Sequence, residues 1–269
     1  MLRFLDREFN RRTFIKYGLR FSILALFGLA YEKRNNIEIK HINLDFPNLP
    51  PGFNNFRIVQ LSDLHSSFWV GKKYLMQVVE QVNELDKDLI VITGDTITGA
   101  VNDFWKRWLP TARRDYIATA GYVLGNLNKC AKIAVLGNHD QWDGVETEKR
   151  LARELEKRAF VVLRNNSMPI LRGKEKIYIA GIDDVWFSYD LSKAMRNVPH
   201  NAFKILLSHS PDIMSDVRED MKVDLTITGH THGGQVAIPY LSHHFIPIDN
   251  PSRYLKGLVK EPYGYRACA

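Results

Sequence analysis

Short β-rich runs alternate with helical patterns along most of this chain, and no other feature constrains its fold as strongly. This order is typical of layered α/β proteins, in which helices cover the faces of a sheet. No internal repeat is visible, and no Pro-, Gly- and Ser-rich linker interrupts the middle of the chain. We therefore expect one α/β domain. The predicted strands are residues 56–61, 89–93, 132–136, 177–182, 204–208 and 225–228, and the predicted helices are 72–85, 111–127, 146–158 and 211–218.

Five of the predicted strands end in a short polar motif. Loops at the carboxyl ends of strands in an α/β sheet converge on a common crevice, so residues that are distant in sequence can meet there. Glycines at three of these turns would permit sharp bends and a close approach of the backbone. The five motifs are Ser62-Asp63-Leu64-His65, Gly94-Asp95, Gly137-Asn138-His139-Asp140, Ser208-His209-Ser210 and Gly229-His230-Thr231-His232.

The residue types in these motifs point to a metal centre. Asp63 and His65 are two residues apart, which at the end of a strand predicts that both side chains point the same way. His230 and His232 share this spacing, although a turn there could direct them to neighbouring metals. Oxygen and nitrogen ligands suit Mn²⁺, Fe or Zn²⁺. With only two cysteines, the chain has neither a disulfide framework nor a thiolate metal cluster.

A single Asp-x-His motif is more often a turn with a capping aspartate than a metal site. Five motifs in order resemble those of the calcineurin-like metallophosphoesterase superfamily: D-L-H, G-D, G-N-H-D, S-H-S-P-D and G-H-T-H-G-G-Q. The resemblance extends over about residues 56–258. It is strongest to the membrane-associated or twin-arginine-exported bacterial phosphodiesterase branch, which includes UDP-2,3-diacylglucosamine pyrophosphatase-like enzymes. It implies a four-layer α-β-β-α sandwich and a metal-dependent hydrolase.

The resemblance also implies a role for each residue of the motifs. His139 would be catalytic, as a proton donor to the leaving oxygen or as a stabiliser of phosphate charge, and Asp140 would orient its ring. Two divalent ions would activate a bridging hydroxide that attacks a phosphodiester or pyrophosphate bond. The implied metal ligands are Asp63, His65 and His232 for the first ion, Asn138, His209 and His230 for the second, and Asp95 as a bridge.

The amino-terminal segment is typical of targeting rather than of a folded element. Residues 1–40 hold nine basic and four acidic side chains, so they account for five of the chain's seven net positive charges. The remaining body is nearly neutral, which argues against a nucleic-acid partner. A basic region precedes the apolar run at 21–30, and Asn10-Arg11-Arg12-Thr13-Phe14-Ile15-Lys16 resembles a twin-arginine motif. We expect a signal or membrane anchor at 1–31, and a connector or an initial strand at 32–55.

Location and substrate are linked in this interpretation. We expect the bacterial cell envelope, with the protein membrane-associated or exported; the alternative is the cytoplasmic face of the inner membrane, where a lipid-nucleotide hydrolase would meet its substrate. All five tryptophans follow strand-end motifs and could favour a lipid-linked or amphiphilic phosphate ester, although packing is an alternative role for each. They are Trp69, Trp105, Trp108, Trp142 and Trp186.

The carboxyl end departs from the family pattern. Relatives of this branch continue past the equivalent of Gly257 and Leu258 with further strands, whereas this chain stops at Tyr265-Arg266-Ala267-Cys268-Ala269. We therefore expect the closing strands to be missing, which would leave an unpaired sheet edge. If that prevented a competent fold, the alternative function is a catalytically impaired metal-binding envelope protein.

Overall fold

The computed structural model describes residues 37–99, 116–234 and 248–268. The predicted targeting segment and the sequence around Trp105 and Trp108 lie outside these residues. Within the described ranges, no helix is both long enough and apolar enough to cross a membrane. A boundary after Leu44 divides the chain into two units. No strand is formed within residues 37–55, the described part of the segment in which a connector or an initial strand was expected. The architecture below concerns the unit that starts at Asp45.

The first sheet contains four parallel strands in the order β1-β2-β3-β4. Every residue of β2 is buried, as expected for a strand that is paired on both sides and covered on both faces. Helices α1, α2 and α4 follow successive strands, and α1 and α2 line an apolar space with Leu61 of β1. The elements are β1 (Ile58–Leu61), α1 (Lys72–Glu84), β2 (Leu89–Thr93), α2 (Tyr116–Leu124), β3 (Ala131–Val135), α3 (Asn138–Gln141), α4 (Val145–Glu156) and β4 (Val161–Val162).

The second sheet contains six strands in the order β5-β6-β7-β8-β10-β9. Strands β6, β7, β8 and β10 run parallel, and β5 and β9 pair antiparallel at the two edges. Leu191 and Ala194 of α5 and Ile213 of a 3₁₀ helix pack on this sheet in one core cluster. The elements are β5 (Asn166–Arg172), β6 (Glu175–Gly181), α5 (Leu191–Met195), β7 (Lys204–Leu207), the 3₁₀ helix Pro211–Ser215, β8 (Leu225–Thr228), α6 (Pro251–Tyr254), β9 (Gly257–Lys260) and β10 (Tyr265–Cys268).

The two sheets meet at the ends of β1 and β8. The Nε2 group of Gln60 donates to Thr93 Oγ1 at 2.9 Å in the first sheet and to the carbonyl oxygen of Thr228 at 2.8 Å in the second. Two sheets with helices between their strands form a mixed α/β arrangement, so the predicted fold class is confirmed. The ends of β1, β2 and β8, which all precede site motifs, are thereby held at one place.

The six predicted strands are all present, with bounds that differ by no more than two residues. The pattern at 211–218 gives a 3₁₀ helix rather than an α-helix, and the first part of the helix expected at 111–127 lies outside the described residues. Strands β4 and β5 were not predicted. β4 has only two residues, which is too short for a recognisable pattern. β5 contains Pro169 and several exposed side chains, which are typical of a loop but are also accepted in an edge strand.

The segment beyond Gly257 also forms two strands where we expected none. β9 and β10 pair antiparallel, and β10 is inserted between β9 and β8. The backbone amide of Glu261 donates to the carbonyl oxygen of Gly264 at 3.2 Å, which closes the turn between the two strands. The described part of the second sheet therefore continues past β8 on this side.

Candidate metal centre

Turns, rather than strand alternation, bring the motif residues together. Five of them have left-handed backbone conformations: Asp63 (φ 52°), His65 (φ 43°), Asp95 (φ 50°), His230 (φ 72°) and His232 (φ 51°). Such conformations cost about 1–3 kcal/mol for a residue other than glycine, so the surrounding structure must hold them in place. The backbone amides of Asp63 and His65 donate to the carbonyl oxygens of Gly94 and Asp95 at 3.1 and 2.9 Å. The loops after β1 and β2 are thus bound to each other beyond the ends of the strands.

The first group of candidate ligands comprises Asp63, His65 and His232, whose donor atoms lie within 4.8 Å of one another. The Nε2 atoms of the two histidines are 3.1 Å apart, and His232 Nε2 is 3.6 Å from Asp63 Oδ1. The Asp63 carboxylate also accepts hydrogen bonds from Ser62 Oγ at 2.5 Å and from the backbone amide of His230 at 3.1 Å. The structure therefore brings together the three residues predicted for one ion.

The second group comprises Asn138, His209 and His230. His209 Nε2 lies 2.9 Å from Asn138 Oδ1 and 3.1 Å from His230 Nδ1. The other ring nitrogen of His209, Nδ1, donates to the carbonyl oxygen of Thr93 at 2.8 Å. That bond fixes the ring and directs Nε2 toward the group, as the outer partner of a metal-binding histidine does. These three residues are those predicted for the other ion.

Asp95 lies between the two groups and is almost fully buried. Its Oδ2 atom is 3.4 Å from His65 Nε2 and 3.3 Å from His209 Nε2. Burial alone would raise the pKa of this carboxyl, but the charge and hydrogen bond of His209 lower it to about 2. A single ionised carboxylate therefore faces donor atoms from both groups, which is the position predicted for a bridge.

The pKa values of two histidines of the centre are shifted in opposite directions. Burial lowers the pKa of His65 to about 4, with Asp95 opposing the shift, so this ring is neutral at pH 7 and offers a lone pair. Burial also disfavours charge on His209, but the charge and hydrogen bond of Asp95 outweigh it and raise its pKa to about 10. His209 therefore holds positive charge against Asp95, where a divalent cation would supply it instead.

His139 approaches the centre from the loop that follows β3. Its backbone amide donates to Asp95 Oδ1 at 2.9 Å, and its ring is edge-on to that of His65 with 4.7 Å between centroids. Ring nitrogen Nδ1 donates to the carbonyl oxygen of Thr98 at 2.7 Å. Nε2 is therefore the nitrogen left for a substrate or a metal. Donor atoms of His65, Asp95 and His139 also lie within 4.8 Å of one another.

Asp140 does not orient the His139 ring, contrary to expectation. Its buried carboxylate accepts backbone hydrogen bonds from Ile97 through Oδ1 and from Gly137 through Oδ2, each at 3.0 Å. Burial and the nearby charge of Asp95 raise its pKa to about 7, against these hydrogen bonds. Asp140 thus joins the loops after β2 and β3, and the Thr98 carbonyl performs the role that the sequence assigned to Asp140.

Glycine is required where the loops pass closest to the ligands. A Cβ atom on Gly94, whose φ is +91°, would lie 2.5 Å from His209 Nδ1. One on Gly137 would lie 2.9 Å from His209 Cε1 and would also collide with the Asp95 carboxylate. One on Gly229 would lie 2.7 Å from Asp63 Oδ2. All three strand-end glycines therefore make room for the ligands.

The donor set fits divalent ions. Two nitrogens on one tetrahedral zinc, each at 2.0–2.1 Å, are about 3.4 Å apart, close to the 3.1 Å between His65 and His232 and between His209 and His230. Carboxylate, imidazole and amide donors without thiolate match Mn²⁺, Fe or Zn²⁺. The residues present would hold a metal with little rearrangement of the side chains.

Three contributors to the centre could not be recognised from sequence. The carbonyl groups of Thr93 and Thr98 orient His209 and His139, but a backbone carbonyl has no signature in the sequence. Arg164 binds the buried carboxylate of Asp183 through Nε at 2.9 Å and through Nη2 at 3.2 Å. The adjacent Asp184 is buried and interacts electrostatically with His209. Nothing in the sequence marked Arg164.

Several known proteins are similar to this chain over most of its length. The family model of calcineurin-like phosphoesterases matches residues 56–234. The uncharacterized metallophosphoesterase YkuE of Bacillus subtilis is 32% identical over 87% of this chain and 80% of its own. The phosphodiesterase YaeI of Escherichia coli is 29% identical over 76% of this chain and 70% of its own. The crystal structure of phosphopantetheinyl hydrolase from Mycobacterium tuberculosis aligns with 78% of this chain and 87% of its own, at 10% identity and a TM-score of 0.46.

Proposed function

The chain belongs to the calcineurin-like phosphoesterase family and is a metal-dependent phosphoester hydrolase, and from this premise we propose that it uses two divalent ions side by side. The observation that carries the proposal is the position of Asp95. One carboxylate oxygen lies 3.4 Å from a nitrogen of the first ligand group and 3.3 Å from a nitrogen of the second. A site for a single ion would need only one of these groups.

Asp63, His65 and His232 would hold the first ion, and Asn138, His209 and His230 the second, with Asp95 shared. When bound, two divalent ions lower the pKa of the attacking water and neutralise charge on the phosphoryl oxygens. They also carry more positive charge than Asp63 and Asp95 can neutralise, so the loaded centre attracts an anionic phosphate.

His139 supplies the proton chemistry in this proposal. Its Nδ1 is occupied by the Thr98 carbonyl, so a protonated ring donates through Nε2. In hydrolysis of a diester or pyrophosphate, the attacking water gives one proton to solvent, its oxygen forms a bond to phosphorus, and the bond to the leaving oxygen breaks. The leaving oxygen takes the proton from Nε2, which stabilises the negative charge that would otherwise build up on it. His139 regains a proton from solvent before the next turnover.

Metal content and turnover together test the two-ion proposal. We expect the purified protein to bind two ions of Mn²⁺ per chain and to hydrolyse bis-p-nitrophenyl phosphate, with activity abolished by a chelator. Asp95→Asn should bind one ion or none and lose most activity, since it weakens the only shared ligand. Asp86→Asn is the matched control, because that carboxylate is exposed and pairs with Arg57, away from the candidate ligands. Full activity with one ion per chain would contradict the proposal.

The finer part of the proposal is that the substrate is an amphiphilic or lipid-linked phosphate of the cell envelope. Its support is the exposure of Trp142 and Trp186 at the centre, together with the basic and apolar amino-terminal segment. The alternative, an impaired metal-binding protein, depended on missing closing strands, and β9 and β10 weaken that argument.

Two measurements test this finer part. Fractionation and protease accessibility in cells would place the domain in the envelope or, as the alternative, on the cytoplasmic face of the inner membrane. Turnover of a lipid-linked diphosphate should exceed that of a soluble nucleotide diester. A strong preference for the soluble diester, or recovery of the protein away from membranes and envelope, would overturn it.

A further inference from the structure

Two exposed tryptophan side chains pack directly against histidines of the metal centre. The indole of Trp142 and the imidazole of His139 have centroids 4.0 Å apart, at an interplanar angle of 49°. The indole of Trp186 and the imidazole of His230 have centroids 5.1 Å apart and meet edge to face at 87°. The tryptophans nevertheless remain 53% and 45% exposed. Each indole therefore has one part against the centre and another part open to solvent.

The two tryptophans lie on different sides of the centre. His139, which Trp142 contacts, adjoins the ligand group of His65, with 4.7 Å between ring centroids. His230, which Trp186 contacts, adjoins His209 of the other group, with 4.9 Å between centroids. A phosphate ester held at the centre would therefore have one indole near each ligand group.

The backbones of both tryptophans are held in place by hydrogen bonds. Trp142 follows α3 directly, and its backbone amide donates to the carbonyl oxygen of Asn138 at 3.0 Å. The backbone amide of Trp186 donates to Oδ1 of the buried Asp184 at 2.9 Å. Rigid support of this kind reduces the entropy lost when a ligand packs against a side chain.

Ligand sites are lined mainly by apolar and aromatic side chains with a few polar groups, so exposed rings that contact the centre are placed to contact a bound ligand. The faces and edges of aromatic rings bind planar groups in offset-stacked or edge-to-face arrangements, and such a contact strengthens binding by about threefold to tenfold. A chain of saturated atoms lacks the quadrupole that favours these arrangements. The chemistry of the two indoles thus favours a ligand whose phosphate carries a flat apolar substituent.

We propose that Trp142 and Trp186 are specificity-determining residues that bind a planar apolar group attached to the reacting phosphate. This inference rests on the proposed phosphoesterase function and names the part of the substrate that the two indoles recognise. An aryl phosphate would be bound more tightly than an alkyl phosphate with the same head group. A lipid-linked substrate would satisfy both proposals where a planar apolar group lies next to its phosphate and the lipid lies further away.

Binding of two phosphonates to the Mn²⁺-loaded protein tests this without turnover. Phenylphosphonate and methylphosphonate carry the same head group and differ only in the ring. By isothermal titration calorimetry we expect the native protein to bind phenylphosphonate about tenfold more tightly. In the double variant Trp142→Ala, Trp186→Ala, which leaves the single ring of phenylphosphonate no indole to contact beside either ligand group, this advantage should fall to about threefold or less. The affinity for methylphosphonate should change by less than about twofold. Trp142→Phe should retain most of the preference.

Tyr122→Ala is the matched control, because this aromatic side chain is 51% exposed on α2 and lies over Lys72 rather than at the centre. It should leave the preference unchanged. The inference would be overturned if the double variant bound both phosphonates more weakly by the same factor. It would also be overturned if the native protein bound phenylphosphonate no more tightly than methylphosphonate. If the preference is found but bis-p-nitrophenyl phosphate is not hydrolysed, the proposed catalytic function fails and the binding subsite stands.

Discussion

The Nδ1 atom of His139 donates to the carbonyl oxygen of Thr98 at 2.7 Å, so a backbone group and not a carboxylate fixes this ring. Thr98 lies three residues beyond Asp95, on the loop that follows β2. The same loop thus supplies the candidate bridging ligand and the group that orients the candidate acid. A change in this loop should affect metal binding and proton donation together.

His139→Ala should fold and bind metal but lose activity in a way that depends on the leaving group. Removal of a general acid costs about 10²- to 10⁴-fold when the leaving oxygen needs a proton. Diphenyl phosphate has a more basic leaving group than bis-p-nitrophenyl phosphate, so its kcat should fall more. Steady-state rates on the two diesters provide the measurement. An equal loss on both would instead mean that His139 stabilises charge on the phosphate.

Gly137→Ala should lose metal affinity because its new methyl group would meet the Asp95 carboxylate and His209. Overpacking of this kind typically costs about 1–3 kcal/mol of stability. Metal titration and urea unfolding would show both effects. Gly71→Ala is the control, since a Cβ there meets no atom within 4 Å. Near-native metal affinity in Gly137→Ala would contradict this prediction. It would show that the loop after β3 can move to accept the methyl group without displacing the ligands.

Arg164→Ala should destabilise the protein by about 2 kcal/mol or more, because it leaves two carboxylates with little exposure without their partner. The Arg164 guanidinium pairs with Asp183 at the end of β6 and with Glu148 of α4. Its effect on the free energy of unfolding can be measured in urea. Arg218→Ala removes an exposed pair with Asp220 and should change stability by less than about 1 kcal/mol. Similar losses in the two variants would contradict this account.

Asp184→Asn should stabilise the metal-free protein increasingly as pH rises. Burial raises the pKa of Asp184, with His209 opposing the shift, and Oδ2 of its carboxylate has no hydrogen-bond partner among the described residues. A carboxyl group whose pKa is higher in the folded than in the unfolded state is destabilising once it ionises. Its cost grows as the pH rises from the pKa of the unfolded state toward the pKa of the folded state. Urea unfolding between pH 4 and pH 7 should show a growing difference from the native protein, with Asp86→Asn as an exposed control. A constant difference would exclude this titration.

Removal of metal should lower the melting temperature. A ligand at one hundred times its dissociation constant stabilises the folded state by about 2.7 kcal/mol. For a domain of this size that corresponds to roughly 5–10 °C. Calorimetry with Mn²⁺ and with excess chelator would measure the shift. The Asp95→Asn variant should show a smaller difference, and an unchanged melting temperature in the native protein would mean that the folded state binds no metal.

The strand ends that carry the ligands were predictable because buried strands are continuous apolar runs and the motifs follow them directly. Edge strand β5 was not, since its exposed residues and Pro169 resemble a loop. At the centre, the sequence identified which side chains meet. The carbonyl partners of His209 and His139 were not predictable, because any residue type can present a backbone carbonyl. The left-handed turns at Asp63 and His232 were also hidden, since tertiary contacts impose them against local preference.

The candidate ligands are divided between the two sheets. Asp63, Asp95 and Asn138 follow strands of the first sheet, whereas His209 and His230 follow strands of the second. Bound metal would therefore cross-link the two sheets and close a long loop of the chain. The metal–ligand contacts can form only after both sheets have docked. Contacts made so late are absent from the transition state for folding, so they slow unfolding without speeding folding. The centre would thus give the domain kinetic resistance to unfolding as well as its chemistry.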